Sequence, residues 1–312
     1  MRRVVLAVLL LIAIALAINT VVTNRQTKAA EADVGQIVET RYGDVQVRER
    51  GPARAPAIVL IHCYTCSIHW WLKLEPLLTR DRRVVSVDLL GHGGSEKPQE
   101  GYSAENQADA VAAALRRRGI RDALVVGQSL GGPIATAVAE RHPTLARGVV
   151  IMDSSPREGY TDLPFTQKIG TAPVVGEAAW HATPDFMIRD GLADAFAEGF
   201  EVPDQFVEDV RRMTFTSFAE ADKLPGYHDT PLPERLTATR LPVLAIFGEK
   251  DTVIVPPDEA ADEYREIPGA RVAMLPGVGH TPQVEAPRKT AALIRSFDKI
   301  SARTTKRQRE RS

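Results

Sequence analysis

Apolar residues fall along this chain in two alternating rhythms. Short continuous runs at Ala57 to Ile61, Val84 to Leu89, Ala123 to Val126, Gly148 to Met152, Pro242 to Phe247 and Arg271 to Leu275 have the signature of strands buried on both faces. Between them lie stretches with helical spacing, at Ala104 to Arg118, Pro133 to Arg141 and Pro287 to Phe297. Ahead of the first run, Gln36 to Arg41 and Asp44 to Glu49, joined at Tyr42-Gly43, predict a hairpin. Strand and helix in alternation predict an α/β fold, with a mostly parallel central sheet and helices on both faces. No internal repeat or low-complexity tract interrupts it.

One interval breaks the rhythm. From Ser155 to Thr239 no strand-like run occurs, and Pro164, Pro173, Pro184, Pro203 and Pro225 divide the segment into short helices. An insertion of that length is a subdomain rather than a loop. It holds ten of the eighteen aromatic residues, enough for a small core of its own and for the wall of an apolar pocket beneath a lid. The expected organisation is an N-terminal segment over 1–32, a core in two parts over 33–154 and 240–300, a helical cap over 155–239, and a basic tail over 301–312.

The two ends differ from the body. Val4 to Ile18 is fifteen residues without a polar side chain, preceded by Arg2 and Arg3. That length lies between a signal-peptide core and a membrane-spanning helix. Ala15-Leu16-Ala17 and Ala30-Glu31-Ala32 are small-residue cleavage candidates, the first inside the apolar core and the second far beyond it. The expectation is a signal anchor holding the body of the chain outside the cytoplasm, or a secreted protein if the segment is cleaved. The tail from Ser301 carries five basic side chains against Glu310, and is expected to be solvated, or else to touch anionic lipid. Net charge is only −1, yet with both basic ends set aside the body is acidic by about nine charges, which argues against nucleic-acid binding. Two cysteines cannot staple a fold of 312 residues, so a large apolar core must hold it.

The sharpest chemical signal is Gly127-Gln128-Ser129-Leu130-Gly131-Gly132, between a strand and a helix. A tight strand-to-helix turn of this kind lifts a serine hydroxyl above the sheet edge and aims a helix N-terminus at the site. With Ile61-His62-Cys63-Tyr64, Asp88-Leu89-Leu90-Gly91-His92-Gly93-Gly94-Ser95, Gly248-Glu249-Lys250-Asp251 and Gly279-His280, the chain resembles the α/β-hydrolase fold family over roughly residues 36 to 300. The resemblance implies a serine esterase or lipase-like member with a helical cap, and the chain order nucleophile, acid, histidine is kept by Ser129, Asp251 and His280. Asp153, at the end of the sixth strand, is the alternative acid. The resemblance further implies that backbone N–H groups of Tyr64 and Leu130 form the oxyanion hole. The chain departs from the family's usual His-Gly-x pattern there, with Cys63 in place of glycine.

Cys63 and Cys66 allow a small disulfide in an oxidising compartment, two reduced thiols, or a redox pair, for which the surroundings are not thioredoxin-like. His69, His142, His181 and His228 are expected at the surface or in packing roles, and no histidine pair has the helical spacing of a metal site. The implied activity is hydrolysis of carboxylic esters through an acyl-enzyme, on apolar small to medium acyl chains, with a small-molecule substrate, no metal and no cofactor. Serine at the nucleophile position argues against dehalogenase and epoxide hydrolase chemistry. Lactonase, thioesterase, peptidase, carbon–carbon hydrolase or cofactor-free perhydrolase activity remains open, as does a triad-retaining binding protein.

Overall fold

The structure is a computed structural model that describes parts of residues 3–15, and residues 28–161, 175–221 and 230–309. Its centre is an eight-stranded sheet: β1 Gln36–Val38, β2 Val45–Arg50, β3 Ala57–Ile61, β4 Arg83–Val87, β5 Ala123–Gln128, β6 Ala146–Met152, β7 Val243–Gly248 and β8 Arg271–Leu275. The spatial order is β1-β2-β4-β3-β5-β6-β7-β8. β1 and β2 form the expected hairpin and β2 meets β4 antiparallel; the remaining pairs are parallel. The β2–β4 step and the crossover of β3 leave β3, β5, β6 and β7 in the middle, where strands need apolar side chains on both faces.

Alternation within β3 shows how both faces are buried. Val59 and Ile61 join a core with helices α1 (Ala104–Arg117) and α2 (Gly131–Arg141). Ile58 and Leu60 join a second core with Trp71, Ile294 and Phe297 on the other face, under helix α9 (Pro287–Arg309). Each fully buried aliphatic side chain contributes roughly 1.5–3 kcal/mol, so the two layers together dominate the stability of this domain. α9 continues past Phe297, because Ser301 is small enough to pack beside Gly148 of β6, so the backbone has no break at residue 300.

Between β6 and β7 the chain forms α3 (Val175–Ala182), α4 (Asp185–Ala193), α5 (Asp204–Arg212), α6 (Phe215–Ala221) and α7 (Leu232–Thr239). Leu232 and Leu236 of α7 are buried in the main core, so this last helix packs with the sheet layers rather than with the cap. Leu192, Phe196, Phe206, Val207 and Val210 form a third cluster, closed from the core side by Trp70 and the Cys63–Cys66 pair.

Among the described residues no helix is long and apolar enough to cross a membrane. The described part of 3–15 is helical with Val4, Leu6, Leu10 and Leu11 exposed, while 16–27 lies outside the described residues. From Lys28 the chain is docked on the body. Lys28 pairs with Lys97 through its backbone, and Glu31 N donates to Gly94 O. Asp33 is bonded to Gln46 and paired with Arg212 of α5.

Candidate active site

Three parallel strands end side by side at one edge of the sheet. Gln128 of β5 is in register with Met152 of β6, and Met152 with Ile246 of β7. The next residues continue the ladder, with Ser129 N donating to Met152 O and Asp153 N to Ile246 O. Register alone therefore sets Ser129 beside Asp153 and both beside the end of β7, which leads to Asp251.

Ser129 has φ +50°, a left-handed conformation that costs a non-glycine residue roughly 1–3 kcal/mol. It is held there by close approach: a Cβ on Gly127 would lie 2.0 Å from Gly131 O, and one on Gly131 2.3 Å from Ile61 O. The glycines two positions either side of the serine are thus required by contact between strand, turn and helix. Leu130 is the N-cap of α2, in the stretch where helix geometry leaves amides without internal acceptors.

His280 follows β8 and is buried, as is Asp251 after β7. His280 Nδ1 lies 2.8 Å from Asp251 Oδ2. The other carboxylate oxygen accepts from Val253 N at 2.8 Å and Ile254 N at 3.0 Å. Those bonds fix the orientation of the carboxylate. On the core side Gln128 Nε2 donates to His280 O at 2.9 Å, so the residue before Ser129 also fixes the histidine backbone.

Asp153, the alternative acid, does not reach the imidazole as a hydrogen-bond partner. It is fully buried, its Oδ1 accepts from Gly248 N at 2.8 Å, and its Oδ2 has no partner. Burial, reinforced by the nearby Asp251 carboxylate, holds the Asp153 carboxyl well above the usual carboxylate range. Asp153, Asp251 and His280 bring polar atoms within 4.8 Å of one another and, among the described residues, are the one such set that could hold a metal ion. His280 is already paired with Asp251, and Asp153 with the Gly248 amide, which is the hydrogen bonding of an acid–base cluster.

The loop after β3 carries Tyr64. Cys66 N donates to Cys63 O, and the same two residues are joined by a disulfide, so a backbone turn and a covalent bridge close around Tyr64 and Thr65. Thr65 adopts φ +59° within it. His62 is buried beneath the loop, with Nε2 accepting from Leu89 N and Nδ1 bonded to Cys63 O. Burial holds His62 below its ordinary value, as expected for a neutral structural imidazole. His92 is likewise pushed down by burial, and next by the neighbouring His62.

The cap meets this loop through aromatic rings. The Tyr64 hydroxyl donates to Phe218 O, the Tyr64 and Phe218 rings are 5.4 Å apart, and Trp180 lies 4.3 Å beyond Phe218. Other cap aromatics serve the cap itself: Phe196 and Phe206 stack with Trp70, and Phe186 is exposed. Phe165, Tyr227 and His228 lie outside the described residues. His142 sits against Asp109, and His69 is bonded to the buried Asp209 of α5. That last pair was hidden in the sequence, since 140 residues separate its members.

Residues 58–293 match the profile of the alpha/beta hydrolase family. The chain belongs to the alpha/beta hydrolase family. It is 30% identical to 2-(acetamidomethylene)succinate hydrolase of Mesorhizobium japonicum, over 85% of this chain and 93% of that one. It is 29% identical to the pimeloyl-[acyl-carrier protein] methyl ester esterase of Neisseria meningitidis, over 83% of each chain. Among solved structures, a bacterial membrane phospholipase A superposes with a TM-score of 0.73 at 24% identity, covering 97% of this chain and 99% of that one, a likeness of fold. The protein is therefore a hydrolase, and the strained serine turn and the buried imidazole–carboxylate pair lie at the sheet edge of a hydrolase fold.

Proposed function

We propose that this hydrolase cleaves carboxylic esters through an acyl-enzyme on Ser129. The observation that carries the reading is the buried 2.8 Å contact between His280 Nδ1 and Asp251 Oδ2, with the His280 carbonyl bonded to Gln128, the residue before a serine held in a strained turn. Asp251 fixes the tautomer that leaves Nε2 to act as the base. His280 takes the Ser129 proton, Ser129 Oγ attacks the ester carbonyl, and the Tyr64 and Leu130 N–H groups stabilise the tetrahedral oxyanion. His280 then protonates the departing alcohol, and water repeats the attack to release the acid. The chemistry needs no cofactor.

The acyl chain is read as apolar and small to medium in length. Trp180 and Phe218 support this, because they set apolar rings beside Tyr64, the residue read as an oxyanion donor. Each buried methylene contributes roughly 0.8 kcal/mol, nearly fourfold in binding. kcat/KM on p-nitrophenyl esters should climb over the first few acyl carbons and level off where the cap closes the pocket, with charged acyl groups poor. A sharp preference for acetate, or no dependence between two and sixteen carbons, would sink the pocket assignment. Lactones, thioesters and amides in the same panel separate ester hydrolysis from the other acyl transfers open to this fold.

The N-terminal segment is read as an anchor that holds the catalytic domain outside the cytoplasm. Its apolar side chains and the Cys63–Cys66 disulfide, a bond characteristic of oxidising compartments, support that reading. Retention in membranes after an alkaline carbonate wash is the expected outcome, and release into the wash would remove the anchor.

A further inference from the structure

The turn that follows α4, residues Asp194 to Ala197, touches both catalytic loops with its backbone. Thr252, next to Asp251, donates its hydroxyl to Asp194 O at 2.6 Å. His280 N donates to Ala195 O at 3.1 Å. Ala197 N donates to Glu285 Oε2 at 2.9 Å. Glu285 in turn accepts from both neighbours of His280: Gly279 N at 3.0 Å, Thr281 N at 3.2 Å and the Thr281 hydroxyl at 2.8 Å. No space is left between cap and loop, since a Cβ on Gly279 would sit 2.5 Å from Ala197 N.

The restraint on His280 is thus divided. Its carbonyl is held from the core by Gln128, its amide from the cap by Ala195, and its flanking residues by one carboxylate that also binds the cap. Phe196, in the middle of the turn, stacks on Trp70, which follows the Tyr64 loop. A displacement of the turn would therefore be felt at the acid, the base and the oxyanion loop together.

We propose that the cap turn 194–197 belongs to the positioning apparatus of the site, with Glu285 as the positioning residue that transmits it to His280 and Thr252 as its tie to the acid loop. This rests on the reading of His280 as base and Ser129 as nucleophile. An amide at position 285 has one oxygen where the carboxylate has two, and turns an N–H₂ towards donors that need acceptors. The histidine should then lose alignment while the rings of Trp180 and Phe218, packed beside Tyr64, keep their arrangement.

The test uses the full chain, with sites counted by fluorophosphonate titration so that misfolded protein does not enter kcat. For Glu285→Gln, kcat per titrated site on p-nitrophenyl butyrate should fall on the order of 10- to 100-fold, as for a small misplacement of a catalytic group. KM should move by less than about threefold, because ground-state binding is not what changes. Thr252→Val should lose kcat in the same sense, and Thr252→Ser, which keeps the hydroxyl, should restore it. The threonine pair decides if the Glu285 variant does not fold. Variants with lowered Tm but wild-type kcat per titrated site, or a change in KM alone, overturn the inference. Wild-type protein that no fluorophosphonate labels would overturn the serine reading and this inference with it; labelled wild type with unchanged variants overturns the inference alone.

Discussion

Asp153 and Asp251 are two carboxyl groups in one buried cluster, and their hydrogen-bond partners differ. Asp251 is met by two backbone N–H groups and the imidazole, whereas Asp153 has one amide and an unpartnered oxygen. Asp251→Asn should therefore lose turnover on the order of 10⁴-fold, since an amide selects the wrong imidazole tautomer. Asp153→Asn, which removes a charge that burial already disfavours, should stay within about tenfold of wild type. The two variants also differ in stability. A carboxyl that keeps its proton when folded and releases it when unfolded destabilises the fold as pH rises above the ordinary carboxylate value of about 3.9. Burial raises Asp153 in this way, so Asp153→Asn should match wild type near pH 4 and gain on it as pH climbs. Scanning calorimetry from pH 4 to 8 checks this, and a constant difference in Tm would mean that Asp153 is ionised in the folded chain. Ser129→Ala removes the attacking oxygen alone, and should cost on the order of 10³-fold or more with Tm unchanged. Full activity in folded Ser129→Ala would exclude the serine mechanism.

At the scale of elements, what could be read from the sequence was whatever a local pattern dictates. β3 and β8 have the predicted bounds because short runs rich in apolar residues, set off by Pro56 before β3 and Pro276 after β8, admit few other positions. β1 is shorter than its alternation suggests, since the Thr40 hydroxyl bonds to Gly43 O and draws the chain out of the sheet into a turn. The serine turn, the acid and the histidine were legible because their chemistry restricts the residue type. The cap ties at Ala195 O and Ala197 N were not, because they use backbone groups that leave no trace in composition. The same holds for the docked segment from Lys28. It predicts that a chain beginning at Lys28 folds and keeps activity, whereas one beginning at Gln36 loses the Lys28–Lys97 pairing and the Asp33 bonds. Each backbone hydrogen bond contributes about 0.5–1.5 kcal/mol, so the shorter chain should melt several degrees lower. Equal melting temperatures would show that residues 28–35 lie on the body without holding it. Cleavage at Ala30-Glu31-Ala32 would cut inside this docked stretch, so the earlier candidate at Ala15-Leu16-Ala17 better preserves the body.

For the molecule as a whole, the question is what keeps cap, core and N-terminal segment registered, and His69 stands where the three meet. Its Nδ1 is 2.8 Å from Asp209 Oδ1 of the cap helix α5, and its Nε2 is 3.7 Å from Asp33 Oδ2 of the docked segment. Asp88 at the end of β4 lies behind it, and Arg212 of α5 pairs with Asp33 on the far side. Burial alone would push the imidazole down, but Asp209, with Asp33 and Asp88, raises it above its ordinary value. The group is thus charged when folded at a pH where it would be neutral when unfolded. Its contribution is fully present below the unfolded value of about 6.5, and is lost as pH rises through the higher folded one. Asp209 is completely buried, so once His69 is neutral the carboxylate has lost its countercharge. Asp209→Asn should lower Tm by roughly 5 °C at pH 5.5, as breaking a buried ion pair does in a chain of this size. The gap to wild type should narrow as pH rises towards 9, and in wild type the amides of α5 should lose hydrogen-exchange protection over the same range. The Arg212–Asp33 pair lies on the far side of His69 and is left intact by the substitution, which confines the effect to the His69 side of the helix. A gap that stays constant to pH 9 would mean that the His69–Asp209 contact contributes through hydrogen bonding and not through charge.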